Sequence, residues 1–166
     1  MNGNTILITG GATGIGFALA EAFVKEDNEV IICGAKKSSA QGGIPIGSVL
    51  VKDGKIIGRG HNQRVQKDDP MAHAEIDCLR NAGRIGSYKD TVLYSTLMPC
   101  YLCGGAIVQF GIKKVIIGES RTFEGSEEFM KQHGVEVKNL DNNECISLMR
   151  DFIEKNHDLW FEDIGK

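Results

Sequence analysis

The reading of this chain turns on two short stretches, Met71-Ala72-His73-Ala74-Glu75 and Pro99-Cys100-Tyr101-Leu102-Cys103. Cys100 and Cys103 stand three apart. Residues at that spacing share one face of a helix, so both sulfurs can converge on a single ion. Pro99 suits a helix start, and the positive end of a helix dipole lowers a thiol pKa. Taken alone, C-x-x-C is explained as well by two buried thiols in an apolar helix. His73 shifts that balance, because two thiolates and an imidazole form a donor set suited to Zn²⁺ at roughly 2.0–2.3 Å. A structural zinc is closed by four protein ligands, whereas a catalytic one keeps a position for water. Cys78, five residues after His73, lies about 140° away around a helix and points elsewhere. Spacing alone leaves Cys145 open, and three protein ligands with one zinc per chain is the expectation.

Working outward, Asp69 as a cap and Pro70 at the first helical position predict a helix from Met71 to about Asn81. Pro99 predicts a second helix from Cys100 to about Phe110, closed by Gly111. Ser48–Lys52 and Lys55–Arg59 flank Asp53-Gly54, a two-residue hairpin signal. Thr91–Thr96, Lys114–Gly118 and Val135–Lys138 read as further strands, and Asn142–Asn156 has helical spacing of Ile146, Met149, Phe152 and Ile153. A hairpin followed by alternating helix and strand predicts an α/β fold with a mixed sheet covered by helices. Residues two apart do not share a helix face, so spacing alone leaves Glu75 a solvated surface glutamate.

The totals narrow the function classes. At 166 residues the chain suits one domain, and 42% hydrophobic with 25% charged residues is the composition of a globular protein. A net charge of −3, with no basic run longer than a lysine pair, favours a small neutral substrate over nucleic acid. No apolar stretch approaches the ~20 residues of a membrane span, and no signal peptide is evident. The five cysteines, Cys33, Cys78, Cys100, Cys103 and Cys145, are an odd number. That reads as reduced thiols in a cytoplasm.

Residues 1–34 are of another kind. Asn4–Thr9 and Glu29–Cys33 read as strands around a helix from about Ile15 to Lys25, and Thr9-Gly10-Gly11-Ala12-Thr13-Gly14-Ile15-Gly16 resembles the cofactor turn of a short-chain dehydrogenase. The resemblance stops near Gly34. A dinucleotide fold needs more parallel strands and a ribose-binding residue after the second strand, where Ala35-Lys36-Lys37-Ser38-Ser39 follows instead. That family's Tyr-x-x-x-Lys is absent, since Tyr88, Tyr94 and Tyr101 have no lysine four residues on. The expectation is a fused fragment at 1–34, not an independent domain, and a second unit at 35–166. The helix around Gly16–Lys25 either fills a groove of that unit or packs elsewhere. An NAD(P)-binding module built on Gly10–Gly16 is the rival reading from a different class.

H-x-E…P-C-x-x-C is the signature of zinc nucleobase deaminases, in which the glutamate is the acid–base and not a ligand. At these residues the chain resembles the cytidine deaminase-like superfamily and, more narrowly, the fungal-type cytosine deaminases. The likeness runs from about Gly42 to Lys166. It includes Gly42-Gly43-Ile44-Pro45-Ile46-Gly47, Gly60-His61-Asn62, Lys89–Tyr94, Leu97-Met98-Pro99-Cys100 and the closing Trp160-Phe161-Glu162-Asp163-Ile164-Gly165, a tail that separates it from the tRNA adenosine deaminases.

What the resemblance implies is specific. The fold would be the three-layer α-β-α cytidine deaminase-like one, with His73, Cys100 and Cys103 on zinc and Glu75 as proton shuttle. Asn62 would bind the ring edge of the base and Asp163 its amino group or ring N–H. Phe123 and Trp160 would close over the base, and Ile46 and Gly47 would line the floor. Met98 stands where the family has serine and Ala74 where it has glycine, both bordering the pocket. The implied reaction is hydrolysis of free cytosine to uracil and ammonia, in pyrimidine salvage, by a homodimer with no nucleic-acid or membrane partner. Rivals are deamination of isocytosine or guanine, deamination of adenosine in tRNA, and a non-enzymatic protein closed around zinc by four ligands.

Overall fold

The computed structural model describes residues 5–9, 29–33 and 35–166, with side chains from Ala35 onward except Lys36. The expected first two strands are there: β1 (Thr5–Thr9) and β2 (Glu29–Cys33) pair in parallel, Thr5 opposite Glu29 and Thr9 opposite Cys33. β2 lies against the strands Gly47–Lys52 and Thr91–Leu97 of the main sheet. The glycine-rich turn at 10–16 and the helix expected at 15–25 fall outside the described residues.

After α1 (Ala35–Ala40), the hairpin of β3 (Gly47–Lys52) and β4 (Lys55–His61) forms around Asp53 and Gly54, and the short α2 (Arg64–Lys67) follows. Both turn residues have positive φ, 50° and 70°, as a tight turn matched to strand twist requires. The other strands are β5 (Thr91–Leu97), β6 (Lys114–Glu119) and β7 (Glu136–Asn139), in the order β4-β3-β5-β6-β7. β3 runs antiparallel to β4 and β5, while β5, β6 and β7 are parallel. The mixed sheet is the expected one.

Alternation along these strands sets up two buried faces. Leu50, Leu93, Val115 and Ile117 pack against α3 (Ala74–Ala82), α4 (Tyr101–Phe110) and α5 (Glu127–Gln132) through Leu79, Ile107 and Met130. Val49, Val51, Tyr94 and Ile116 form the opposite face. Toward β6 on that side lies α6 (Asn143–Lys155), with the Cys145 sulfur against Gly118. Each large apolar side chain so buried contributes roughly 1.5–3 kcal/mol. A third cluster joins Ile44, Ile46 and Leu97 to Met149 and Phe152 of α6 and to Trp160 of α7 (His157–Asp163). It ties the C-terminal helix to the end of the sheet where the parallel strands finish.

Two helix starts differ from the sequence reading. α3 begins at Ala74, not Met71, because Asp69 closes its own turn: its carboxylate accepts from the Met71 N–H at 2.8 Å and its carbonyl from the Ala72 N–H at 3.1 Å. The Ala72 carbonyl is held by the Gln63 N–H at 2.9 Å, which keeps the chain extended into His73. α4 likewise begins at Tyr101, with Cys100 as its N-cap.

α3 crosses β4 closely enough that the strand needs glycine. A Cβ on Gly60 would lie 2.2 Å from the Ala74 carbonyl oxygen and 2.3 Å from the Cys78 nitrogen, both backbone. Gly60→Ala is expected to cost about 1–3 kcal/mol or more, a fall in Tm of about 2–4 °C per kcal/mol. Gly105→Ala on α4, where nothing lies within 4 Å, should leave Tm unchanged or raised. Thermal unfolding of the two variants checks this.

Candidate active site

Both helix starts that moved carry expected metal ligands. His73 and Cys100 are the N-caps of α3 and α4, each in extended conformation (φ −69°, ψ 158° and φ −69°, ψ 175°), and neither side chain caps its own helix. Both side chains leave the helix ends for the space between them, where His73 Nδ1 sits 3.4 Å from Cys100 Sγ. Cys103, one turn into α4 and fully buried, completes a group whose donor atoms all lie within 4.8 Å of one another. Among the described residues this is the one His/Cys/Asp/Glu cluster that could hold a metal ion.

The charge state fits such a role. The Cys100 thiol is pushed down to about 4, chiefly because the Cys103 S–H donates to it, with His73 helping against the opposing effect of burial. Cys103 is driven up by that same donation and by burial. Burial by itself would lower the His73 imidazole, but the Cys100 sulfur beside it more than compensates. A pair that already shares one thiolate under two helix N-termini offers the sulfur and nitrogen donors zinc prefers.

Cys78 and Cys145 stay out of the cluster. Cys78 is fully buried, its thiol pushed far up by desolvation, and Cys145 is buried on the α6 side. The spacing argument about Cys78 agrees with this, and the question left open for Cys145 closes among the described residues.

Glu75 departs most from helical reasoning. Because His73 precedes the helix in extended conformation, the rule that residues two apart diverge does not apply, and Glu75 turns inward at 3% exposure. Its Oε1 accepts from the Ser95 hydroxyl at 2.5 Å. Burial raises the carboxyl pKa against that hydrogen bond, so Glu75 can hold a proton and release it.

A narrow cleft opens beside the cluster, lined by His73, Glu75 and Cys100 on one side and by Ile46, Met98, Phe123, Trp160 and Asp163 around them. The Phe123 and Trp160 rings meet edge to face, centroids 5.7 Å apart at 85°. Asp163 Oδ1 lies 3.8 Å from His73 Nε2, and burial raises its carboxyl pKa while His73 and Arg64 oppose. Asn62, Gly47 and Ala74 are outside the lining. Asn62 is fully buried: its Oδ1 accepts from the Arg64 N–H at 3.1 Å and its Nδ2 has no partner. Gly47 donates its N–H to Thr96, and Ala74 belongs to the cluster of Ile44, Ile46 and Trp160.

Sequence reasoning missed Ser95 and Arg64. Ser95 had a signal, being the one polar residue between Leu93 and Leu97 on the buried face of β5. Arg64 had none, because its partners Glu162 and Asp163 lie almost a hundred residues away.

An imidazole and two thiols at paired helix N-termini, with a buried carboxyl beside them, are the parts of a zinc hydrolase site. Residues 25–119 match the cytidine and deoxycytidylate deaminase zinc-binding region, and the chain belongs to that family. Cytosine deaminase of Candida albicans is 46% identical over 145 residues, 86% of this chain and 97% of that protein. The tRNA-specific adenosine deaminase of Buchnera aphidicola is 38% identical over 124 residues, 68% of this chain and 82% of that one. The structure of a guanine deaminase from Nitrosomonas europaea shares the fold, with a TM-score of 0.62 at 20% identity over 71% of this chain and 78% of that one. Residues 4–45 match short chain dehydrogenases, overlapping the deaminase match from residue 25 to 45.

If the three donors and no other thiols hold the metal, Cys103→Ser should lose most of its zinc, while Cys78→Ala and Cys145→Ala should keep about one equivalent per chain. Metal analysis of the purified variants decides it, and zinc loss in Cys145→Ala would contradict the assignment.

Proposed function

We propose that the protein hydrolyses the exocyclic amino group of a free nucleobase, cytosine giving uracil and ammonia. The observation that carries this reading is the C-terminal helix laid over the metal cluster. Trp160 and Phe123 roof the cleft beside His73 and Glu75, and Asp163 lines it with them. A cytosine deaminase is 46% identical over 86% of this chain and 97% of its own length, and the acidic balance of the chain disfavours a polynucleotide.

His73, Cys100 and Cys103 would hold the zinc, and Glu75 would move the protons. Zinc there supplies Lewis acidity, which makes hydroxide available near neutral pH. The Ser95 hydroxyl aims the Glu75 carboxylate, which takes a proton from the incoming water and gives it to ring N3. Once the water oxygen is bonded to C4, Glu75 would take the remaining proton from that new hydroxyl and pass it to the amine, so that the C4–N bond breaks, the C4 carbonyl forms and ammonia leaves. The unpartnered Asn62 Nδ2–H would donate to the ring edge of the base and Asp163 would accept from its amino group. Ile46 and Met98 would pack on the ring, with Gly47 and Ala74 behind them. Met98, where the family has serine, leaves this wall apolar.

The same reading makes residues 1–34 a fused dehydrogenase-like fragment joined near Gly34, supported by the overlap of the two matches across that residue. It makes the protein a cytoplasmic homodimer active in pyrimidine salvage. The exposed Tyr101 and Phe110 of α4 and Met71 ahead of α3 support self-association. Among the described residues no helix is long and apolar enough to cross a membrane.

Ammonia release over cytosine, isocytosine, guanine, adenine and cytidine, with Glu75→Gln as blank, tests the reading. Cytosine should turn over, and Glu75→Gln should keep zinc and fold while losing about 10²–10⁴-fold in rate. Turnover of another base alone would keep the chemistry and overturn the substrate. A Glu75→Gln rate near that of the parent would overturn the proton shuttle.

A further inference from the structure

Arg64 opens the short helix α2 (Arg64–Lys67), and its side chain, only 10% exposed, reaches across to the last turn of α7. There one guanidinium meets two consecutive carboxylates. Nη2 donates to Glu162 Oε1 at 2.8 Å and Nη1 to Glu162 Oε2 at 3.4 Å, a forked pair with the outer, 65% exposed residue. Nη1 also lies 2.6 Å from Oδ1 of Asp163, which is 5% exposed. That second approach is at hydrogen-bond distance and holds Asp163 against the guanidinium charge. One guanidinium thus grips both carboxylates of the turn, and the Asp163 carboxylate keeps further lone pairs to accept with.

Consecutive residues of a helix point about 100° apart. A group that grips both fixes the rotation of α7 about its own axis, which apolar contacts at Trp160 leave softer. Side chains held by a planar fork lose little freedom of their own, so Arg is the residue suited to this task. The clamp is also linked to Asn62. The Arg64 N–H donates to Asn62 Oδ1, and this leaves the Asn62 Nδ2–H as the group without a partner. One turn of chain, 62–64, thus fixes both the Asn62 amide and, through the guanidinium, Asp163.

We propose that Arg64 is a positioning residue that clamps the last turn of α7 through Glu162 and Asp163 together, so that the Asp163 carboxylate is aimed at the amino group of the base. The inference rests on the reading of Asp163 as a base contact. It assigns to the ion pair a work that a mere surface bridge would not have: when the fork is lost, the tail turns, the acceptor moves and the aromatic roof loosens with it.

The test uses the zinc-loaded full chain and the single tryptophan, Trp160, which lies on the clamped helix. Arg64→Gln should raise KM for cytosine about 10–100-fold, the worth of a charge-assisted pair, with zinc content unchanged. Trp160 emission should shift to the red and be quenched more readily by acrylamide. Arg64→Lys should restore part of both, and Glu162→Gln, an exposed change that leaves folding intact, should move both the same way by a few-fold. Parental KM and Trp160 quenching in Arg64→Gln or, should that variant not fold, in Glu162→Gln would overturn the clamp. Asp163→Asn separates the two claims: full activity there would sink the base contact, whereas its inactivity beside a parental Arg64→Gln would sink the clamp alone.

Discussion

The 3.4 Å approach of His73 Nδ1 to Cys100 Sγ is the contact on which the rest of the site depends. It requires two helices to end their N-termini at the same point, and everything around that point is arranged to allow it. Gly60 lets α3 lie against β4, and the Asp69 turn delays the start of α3 to Ala74, leaving His73 outside the helix. Pro99 does the same for Cys100 from the other side, its carbonyl held by the Ser126 N–H and hydroxyl. Two orphan sets of backbone N–H groups then face one small volume, and negative sulfur is stabilised there by helix ends as well as by any cation.

The second constraint is closure. The C-terminal helix adds an aromatic roof, an acidic edge and an ion pair to a site whose chemistry is already complete below it. Its seat is built from three distant parts of the chain: Ile44 and Ile46 before β3, Phe123 after β6, and Met149 and Phe152 of α6. A cleft so covered excludes bulk water, and hydrogen bonds made inside it discriminate more sharply between ring edges than they would in solvent. On the proposed reading, substrate choice lies with the covering elements and the proton chemistry with Glu75 and Ser95 beneath them.

Much of this was legible in the residues because it rests on local rules. The Asp53-Gly54 hairpin, the Gly111 stop and the strand pattern from Thr91 to Asn139 follow from turn chemistry and period-two alternation, and the structure shows them. The three donors were readable from motif and spacing. Helical periodicity failed at Glu75 because it assumed a helix already running at His73; the cap, a matter of one dihedral, turned an outward glutamate into a buried one. Arg64 was illegible for another reason: a contact between residues 64 and 162 leaves no local mark, and the aspartate beside its partner looked like a substrate group in its own right. The tail was recognised by its residues and not by periodicity, and its helix is too short for a clear pattern.

Zinc K-edge absorption of the metal-loaded protein, fitted for the atoms bonded to the metal, reads the donor set itself. One nitrogen near roughly 2.0–2.1 Å, two sulfurs near about 2.3 Å and one light oxygen-type ligand are expected, the signature of an open catalytic position. A shell filled by four protein donors, such as a third sulfur, would make the zinc structural and overturn His73, Cys100 and Cys103 as the full protein set.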